Sequence, residues 1–213
     1  MKWSFKYIIP DPLSEESFTN SQLWNNEIDF FENKNYLLSS NSGKGKTTFV
    51  SYCCGFRNDF KGKLLLNNQP IEQINANNWA SIRTRKLAYI PQNLQLLKEH
   101  SVWDNLIVKN HLTKFKSEDE ILSLLKKFGI EKTKHKKAKE ISLGQQQRVS
   151  IIRALIQPFE TLIMDEPFSH IDMENIEIAV QIIEKICQEQ NANFIITSLT
   201  EKSPFKDLTK IKL

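Results

Sequence analysis

The sequence is short of the residues that mark a cross-linked, fibrous or membrane-spanning chain. Cysteine occurs three times in 213 residues, glycine six times and proline seven. Six glycines exclude a collagen-like repeat, and three cysteines cannot build a dense disulfide framework. Cys53 and Cys54 are neighbours, which disfavours an unstrained bridge between them, and Cys187 makes the count odd. That usage fits a reducing compartment, with all three read as small core residues on helices. No run approaches the ~18–20 apolar residues that a membrane-spanning helix needs. The start, MKWSFKYIIPDPLSEESF, lacks a long apolar run and a small-residue cleavage site, so no secretory signal is expected. A dense basic stripe is missing too. The 29 Lys and Arg against 25 Asp and Glu give a net charge of +4, spread along the chain. This argues against nucleic acid as a partner and is compatible with a small polyanionic ligand in a cytosolic protein.

What is present is an ordinary globular composition, 40% hydrophobic and 25% charged. The length suits one domain, or one domain with a subdomain inserted in it. Short strand-like segments alternate with helical ones, the pattern of an α/β layered domain. Strands are expected at Ser4–Ile9, Tyr36–Ser39, Lys63–Leu66, Leu87–Ile90, Thr161–Met164 and Asn193–Thr197, the last of these close to the chain's end. Helices are expected at Lys46–Cys54, Gln145–Ile156 and Asp172–Glu189. From Ser101 to Phe128 apolar residues recur at three-to-four spacing, and Gly129 ends that helical block. Lys132, Lys134, Lys136, Lys137 and Lys139 form a basic run that reads as a solvated connection, or as a contact for anionic headgroups or an acidic partner loop.

Ser40-Asn41-Ser42-Gly43-Lys44-Gly45-Lys46-Thr47 fills the frame G-x-x-x-x-G-K-[ST] except at its first glycine, and Thr48 follows inside the helix. The loop follows an apolar strand and opens a helix. Backbone N–H groups and the positive helix end there cradle a triphosphate. Lys46 reaches the outer phosphates and Thr47 ligates Mg²⁺. If Ser40 had to adopt φ > 0, it would cost about 1 kcal/mol. Asp165 and Glu166 follow the apolar strand TLIM, at the edge of an α/β sheet where ligands gather. Asp165 is placed to hold Mg²⁺ through water, and Glu166 to take a proton from an attacking water. Just upstream, in ISLGQQQR, Ser142 caps a helix and Gly144 permits close backbone approach. A second exposed helix N-terminus is a second anion site, and one domain has no obvious use for both.

These motifs, in the order phosphate loop, Tyr89-Ile90-Pro91-Gln92, ISLGQQQRVSIIRAL and LIMDEPFSHID, make the chain resemble the ATP-binding subunit of ABC transporters over essentially its whole length. The resemblance implies a P-loop NTPase core sheet, an N-terminal antiparallel β part, and a helical subdomain at about 93–147 inserted in a single domain of 1–213. It also implies a head-to-tail dimer sandwiching two ATP molecules with Mg²⁺, formed with a second copy or a homologous subunit. Ser142, Gly144 and Gln145 would then contact the γ-phosphate held by the opposite chain, which accounts for two anion sites in one sequence. Gln92 would sense the γ-phosphate or Mg²⁺, and Asp172 would lie at the dimer seam. An upstream aromatic stacks on adenine in such proteins, for which Phe18 has the spacing and Tyr7 is the alternative.

Three positions depart from that pattern. Ser40 and Leu143 stand where glycine is favoured. Ser198 stands where the family places a histidine that contacts the γ-phosphate, and all four histidines precede it. Loss of one such contact lowers kcat by about 10²–10³, and Ser198→His raises turnover if the serine is limiting. Two functions are expected to compete. One is an ATPase motor docked on a separate transmembrane permease at the inner face of the membrane, nearest to the lipoprotein-release and macrolide-export branch. Leu94, Leu96, Leu97, Val102 and Trp103 would line its docking groove. The other is a slow or non-hydrolysing ATP-gated clamp on a membrane or cell-envelope partner.

Overall fold

The computed structural model describes residues 1–11, 13 and 20–213. The first half runs β1 (Trp3–Pro10), β2 (Glu27–Phe30), β3 (Asn35–Ser39), α1 (Lys46–Cys53), β4 (Phe60–Leu66), β5 (Gln69–Pro70), α2 (Ala76–Arg85) and β6 (Leu87–Ile90). The second runs α3 (Val102–His111), α4 (Glu118–Lys127), α5 (Leu143–Leu155), β7 (Thr161–Asp165), α6 (Met173–Glu189), β8 (Asn193–Ser198) and β9 (Leu208–Lys212). One sheet, β2-β1-β4-β5, is antiparallel. The other, β6-β7-β8-β3-β9, is parallel throughout.

Period-2 alternation in the parallel strands feeds two cores. Leu38, Ile163 and Ile195 face an aromatic core shared with the antiparallel sheet and α1, where Phe5, Phe30 and Phe49 pack ring on ring. Leu37, Leu162, Met164, Phe194 and Ile196 face the opposite core with α5, α6 and the paired helices α3 and α4. Strands buried on both faces explain the continuous apolar runs TLIM and FII.

The expected elements are present, with five differences. The Ser101–Phe128 block is two helices. Asn110 ties its side chain to both backbone groups of Lys116 (2.7 and 3.1 Å), and Ser117 with Glu120 then opens α4 with a reciprocal cap. β8 is not the last strand, because β9 returns to the sheet edge beside β3. None of β2, β5 and α2 was expected. The basic run spans two short 3₁₀ turns, Glu131–Thr133 and Ala138–Glu140, and the link between them; Lys137 and Lys139 pair with Glu99, and Lys134 lies 4.0 Å from the Trp103 ring centroid. All three cysteines are buried thiols, and burial pushes the Cys187 thiol up to about 12.

Candidate nucleotide site

Among the described residues, five of the six α-helices begin with a side-chain cap, from Asn75, Ser101, Ser117, Ser142 and Asp172. Helix α1 does not. Its N-cap is Gly45, at φ 94°, so the first N–H groups of the helix stay free for an external acceptor. Two features require glycine at position 45. The backbone is left-handed, and a Cβ there would stand 2.6 Å from Leu13 Cδ1 and 3.0 Å from Trp24 Nε1. Trp24 is buried and donates from Nε1 to the Lys44 carbonyl (3.1 Å), holding the loop from below. Ser40 does not adopt φ > 0, so the strain allowed for at that position does not arise. Its amide instead donates to the Ser198 carbonyl (3.2 Å), extending the β3–β8 pairing into the loop. Asn41, Ser42 and Gly43 form the loop's exposed rim, while Lys44 and Thr48 are half-buried.

The carboxyl ends of β3, β6, β7 and β8 bring the remaining side chains together. Lys46 is 5% exposed, and its ammonium donates to the carbonyls of Ser40 (2.8 Å) and Asn41 (3.1 Å). It also lies 3.5 Å from Glu166 Oε1, while Gln92 Nε2 donates to Glu166 Oε2 (3.2 Å). Lys46, Glu166 and Gln92 therefore form one chain of contacts across the edge of the sheet. Glu166 has φ 47°, a conformation that costs a non-glycine residue about 1–2 kcal/mol and turns it out of the line of β7. Asp165, fully buried, accepts from Thr47 Oγ1 (3.0 Å) and Thr197 Oγ1 (2.7 Å). Burial pushes the Asp165 carboxyl above its ordinary value, against the hydroxyl bonds from Thr197 and Thr47 and the charge of Lys46. Thr197 also accepts from the Glu166 amide (3.1 Å), so one hydroxyl orients both acids. Sequence reasoning missed Thr197 and Trp24. A hydroxyl ending the apolar run FII was the only signal for Thr197.

Ser142, Gly144 and Gln145 start α5 beyond the Glu166 turn. Ser142 Oγ accepts from the Gln145 amide (3.3 Å), and Gln145 Oε1 accepts from the Ser142 amide (3.0 Å), leaving the Ser142 hydroxyl hydrogen and the Gln145 amide hydrogens available. A Cβ on Gly144 would stand 2.7 Å from the His170 carbonyl, so this turn packs directly on the SHID loop. Gln147 Nε2 fixes the helix to the Pro167 carbonyl (2.6 Å), next to Glu166. Asp172 is exposed and caps α6, and bonds from Asn175 hold its carboxyl below the ordinary range. Among the described residues no hydrogen bond or ion pair joins Ser142, Gly144 or Gln145 to the phosphate loop. The Ser198 hydroxyl ends β8 and accepts from the Thr200 amide (3.1 Å). Phe18 lies outside the described residues. Tyr7 is exposed on a bulge of β1 at φ 54°.

The groove residues named from sequence are mostly not a surface. Leu94 and Val102 are buried, and Leu96 and Trp103 pack on the core. Left-handed turns at Leu94 and Gln95 fold Leu94 inward, where Arg153 donates to the carbonyls of both residues. Leu97 does line a groove of about 380 Å³, together with Phe56, Tyr89, Pro91, Val108 and Leu112. Its charged lining residues are Arg83, Lys109 and Arg153, with no carboxylate among them.

A free helix end, a buried lysine and a paired acid at the carboxyl edge of a parallel sheet make this a P-loop nucleotide-binding domain. The family described as ABC transporter matches residues 23–169. The lipoprotein-releasing system ATP-binding protein LolD of Buchnera aphidicola subsp. Schizaphis graminum is 31% identical over 165 residues, covering 76% of this chain and 72% of that one. The ABC transporter ATP-binding protein YtrE of Bacillus subtilis is 30% identical over 158 residues, covering 73% and 68%. In fold, the chain is similar to MJ0796, a bacterial ABC transporter cassette solved as a dimer. The TM-score is 0.79 at 21% identity, over 94% of this chain and 88% of that one. The chain belongs to the ABC transporter family and is an ATP-binding motor subunit. No helix among the described residues is long and apolar enough to cross a membrane.

Proposed function

We propose that two such chains close head to tail on ATP and hydrolyse it to drive a membrane permease seated in the 380 Å³ groove. The observation that carries this is the Lys46–Glu166–Gln92 chain of contacts. ATP enters with its γ-phosphate taking the place of Glu166 at Lys46. Glu166, so released, accepts a proton from water as the water oxygen attacks the γ-phosphorus and the bond to the bridging oxygen of ADP breaks. Thr47 and Asp165 offer hard oxygen donors close together, a set that suits Mg²⁺, whose remaining ligands come from phosphate and water. Bound there, Mg²⁺ would neutralise phosphate charge. The partner's Ser142 hydroxyl and α5 N-terminus would complete the γ-phosphate shell, since each chain keeps these groups away from its own phosphate loop.

Residues 91–97 connect site to groove. Gln92 touches Glu166, while Pro91, Gln95 and Leu97 line the groove one to five positions away. A shift at the γ-phosphate thus moves the groove wall directly. The lining asks for an apolar segment carrying an acidic residue. Burial, aided by the charge of Arg153, already lowers the Lys109 ammonium below its ordinary value. Lys109→Glu and Val108→Glu are expected to abolish stimulation of ATP turnover by the co-purified permease while changing the ATP Kd less than about threefold. Normal coupling in both variants would remove the groove assignment. The likeness to LolD, a lipoprotein-releasing system ATP-binding protein, favours the lipoprotein-release branch, for which release of a lipid-modified cargo is the test.

Ser198 supports a second reading, an ATP-gated clamp, because no imidazole stands at the end of β8. Turnover by the chain in its native membrane assembly separates the two. A motor cycles, whereas a clamp binds ATP and holds it.

A further inference from the structure

The serine at position 198 leaves space. A hollow of about 200 Å³ opens beside Glu166, between the Pro167–Ser169 turn and the loop that follows β8. Its lining carries two charged side chains, Glu166 on one side and Lys202 on the other. Lys202 is exposed, and among the described residues it has no carboxylate partner. The neighbouring acid, Glu201, is turned the other way, 3.9 Å from Lys212. The loop is anchored at both ends of this stretch. Ser198 Oγ accepts from the Thr200 amide, Thr200 Oγ1 donates to the Lys202 carbonyl (3.4 Å), and Phe205 packs on Phe194 and Phe168. These contacts fix the backbone around Lys202, whose side chain is exposed at the lining of the hollow.

The charges at the site make that position consequential. A bound γ-phosphate brings negative charge next to Glu166, itself an acid, and the Lys46 ammonium already donates to two of the phosphate loop's own carbonyls. Beyond what Lys46 and Mg²⁺ would neutralise, negative charge growing on the phosphoryl oxygens during attack is stabilised further by a positive group on the Glu166 side. A lysine suits this task. It is a compact charge on a flexible stem with three donors.

We propose that Lys202 reaches across the hollow to the γ-phosphate and supplies, from the loop after β8, the positive contact that Ser198 cannot. The proposal rests on the reading of Glu166 and Lys46 as an ATP-hydrolysing site. It makes Lys202 a catalytic residue and Ser198 the small residue that leaves it room.

The test uses the full chain in its native membrane assembly, with Mg-ATP turnover and equilibrium ATP binding measured on the same samples. Lys202→Met is expected to lower kcat by about 10–100-fold, the cost of one transition-state donor, with the ATP Kd changed less than about threefold. Lys202→Arg should keep most of the rate. The decisive variant is Ser198→His combined with Lys202→Met, which should recover turnover by filling the same hollow with an imidazole. Wild-type kcat in Lys202→Met with ATP bound normally overturns the role of the lysine and leaves the nucleotide site standing. Failure of Ser198→His to recover any rate in a folded, ATP-binding double variant also overturns it. If the unaltered chain binds no ATP, the site reading and the lysine fall together.

Discussion

Glu166→Gln lowers ATP turnover by about 10²–10⁴-fold, the usual contribution of a positioned general base, and leaves an ATP-bound dimer that persists. The amide keeps the shape of the carboxylate and the left-handed turn that presents it, but it cannot take the proton of the attacking water. It also removes the charge that faces Lys46 at 3.5 Å. In the ligand-free chain this ion pair competes with phosphate for the ammonium. Its loss should tighten ATP binding by about tenfold, or about 1.4 kcal/mol. The two effects run in opposite directions, which a merely damaged site would not produce. Size-exclusion chromatography with saturating Mg-ATP, paired with a nucleotide titration, reads both. A variant that stays monomeric in solution and in its membrane assembly would sink the shared-site reading. A variant that turns over ATP normally would place the base elsewhere.

Much of this site was legible because its chemistry is local in sequence. A phosphate loop needs a strand end, a few permissive backbones, a lysine and a hydroxyl within eight residues, and Ser40–Thr47 carries them together. Asp165 and Glu166 announce themselves as two acids after an apolar strand. The helices with strong caps, α3 at Ser101 and α5 at Ser142, are written in the same local code. What stayed hidden depends on contacts distant in sequence. Thr197 reaches Asp165 from another strand, 32 positions away. Trp24 meets the phosphate loop from 20 positions upstream. Helix α2 buries only Trp79, so no apolar period marks it. Strand β9, on the sheet edge, buries only Ile211 of its five residues. Leu94 and Leu97 look alike in sequence. Only the turn at Leu94 and Gln95, locked by Arg153, sends one inward and leaves the other in the groove.

Thr197→Val tests the part of the site that sequence did not reveal. Valine keeps the volume and the β-branch of a fully buried strand residue and deletes one hydroxyl. Asp165 then loses a 2.7 Å bond and the Glu166 amide loses its acceptor. A hydrogen bond to a charged group contributes about 1.5–3 kcal/mol, so turnover should fall by about 10–100-fold. The pH dependence of stability supplies a second readout in the chain free of nucleotide and Mg²⁺. Burial already raises the folded-state pKa of Asp165 above its unfolded value. The folded chain therefore holds that proton longer than the unfolded chain, and the stability from this group falls as pH rises from the ordinary carboxylate range through the folded pKa. Deleting the Thr197 hydroxyl removes a bond that favours the ionised form, so it raises the folded pKa further and extends the falling window upward. The stability gap between wild type and variant should thus be smallest in acid and widen toward neutral pH. A gap independent of pH, with turnover intact, would mean that the hydroxyl only fills space and that Asp165 is positioned by Thr47 alone.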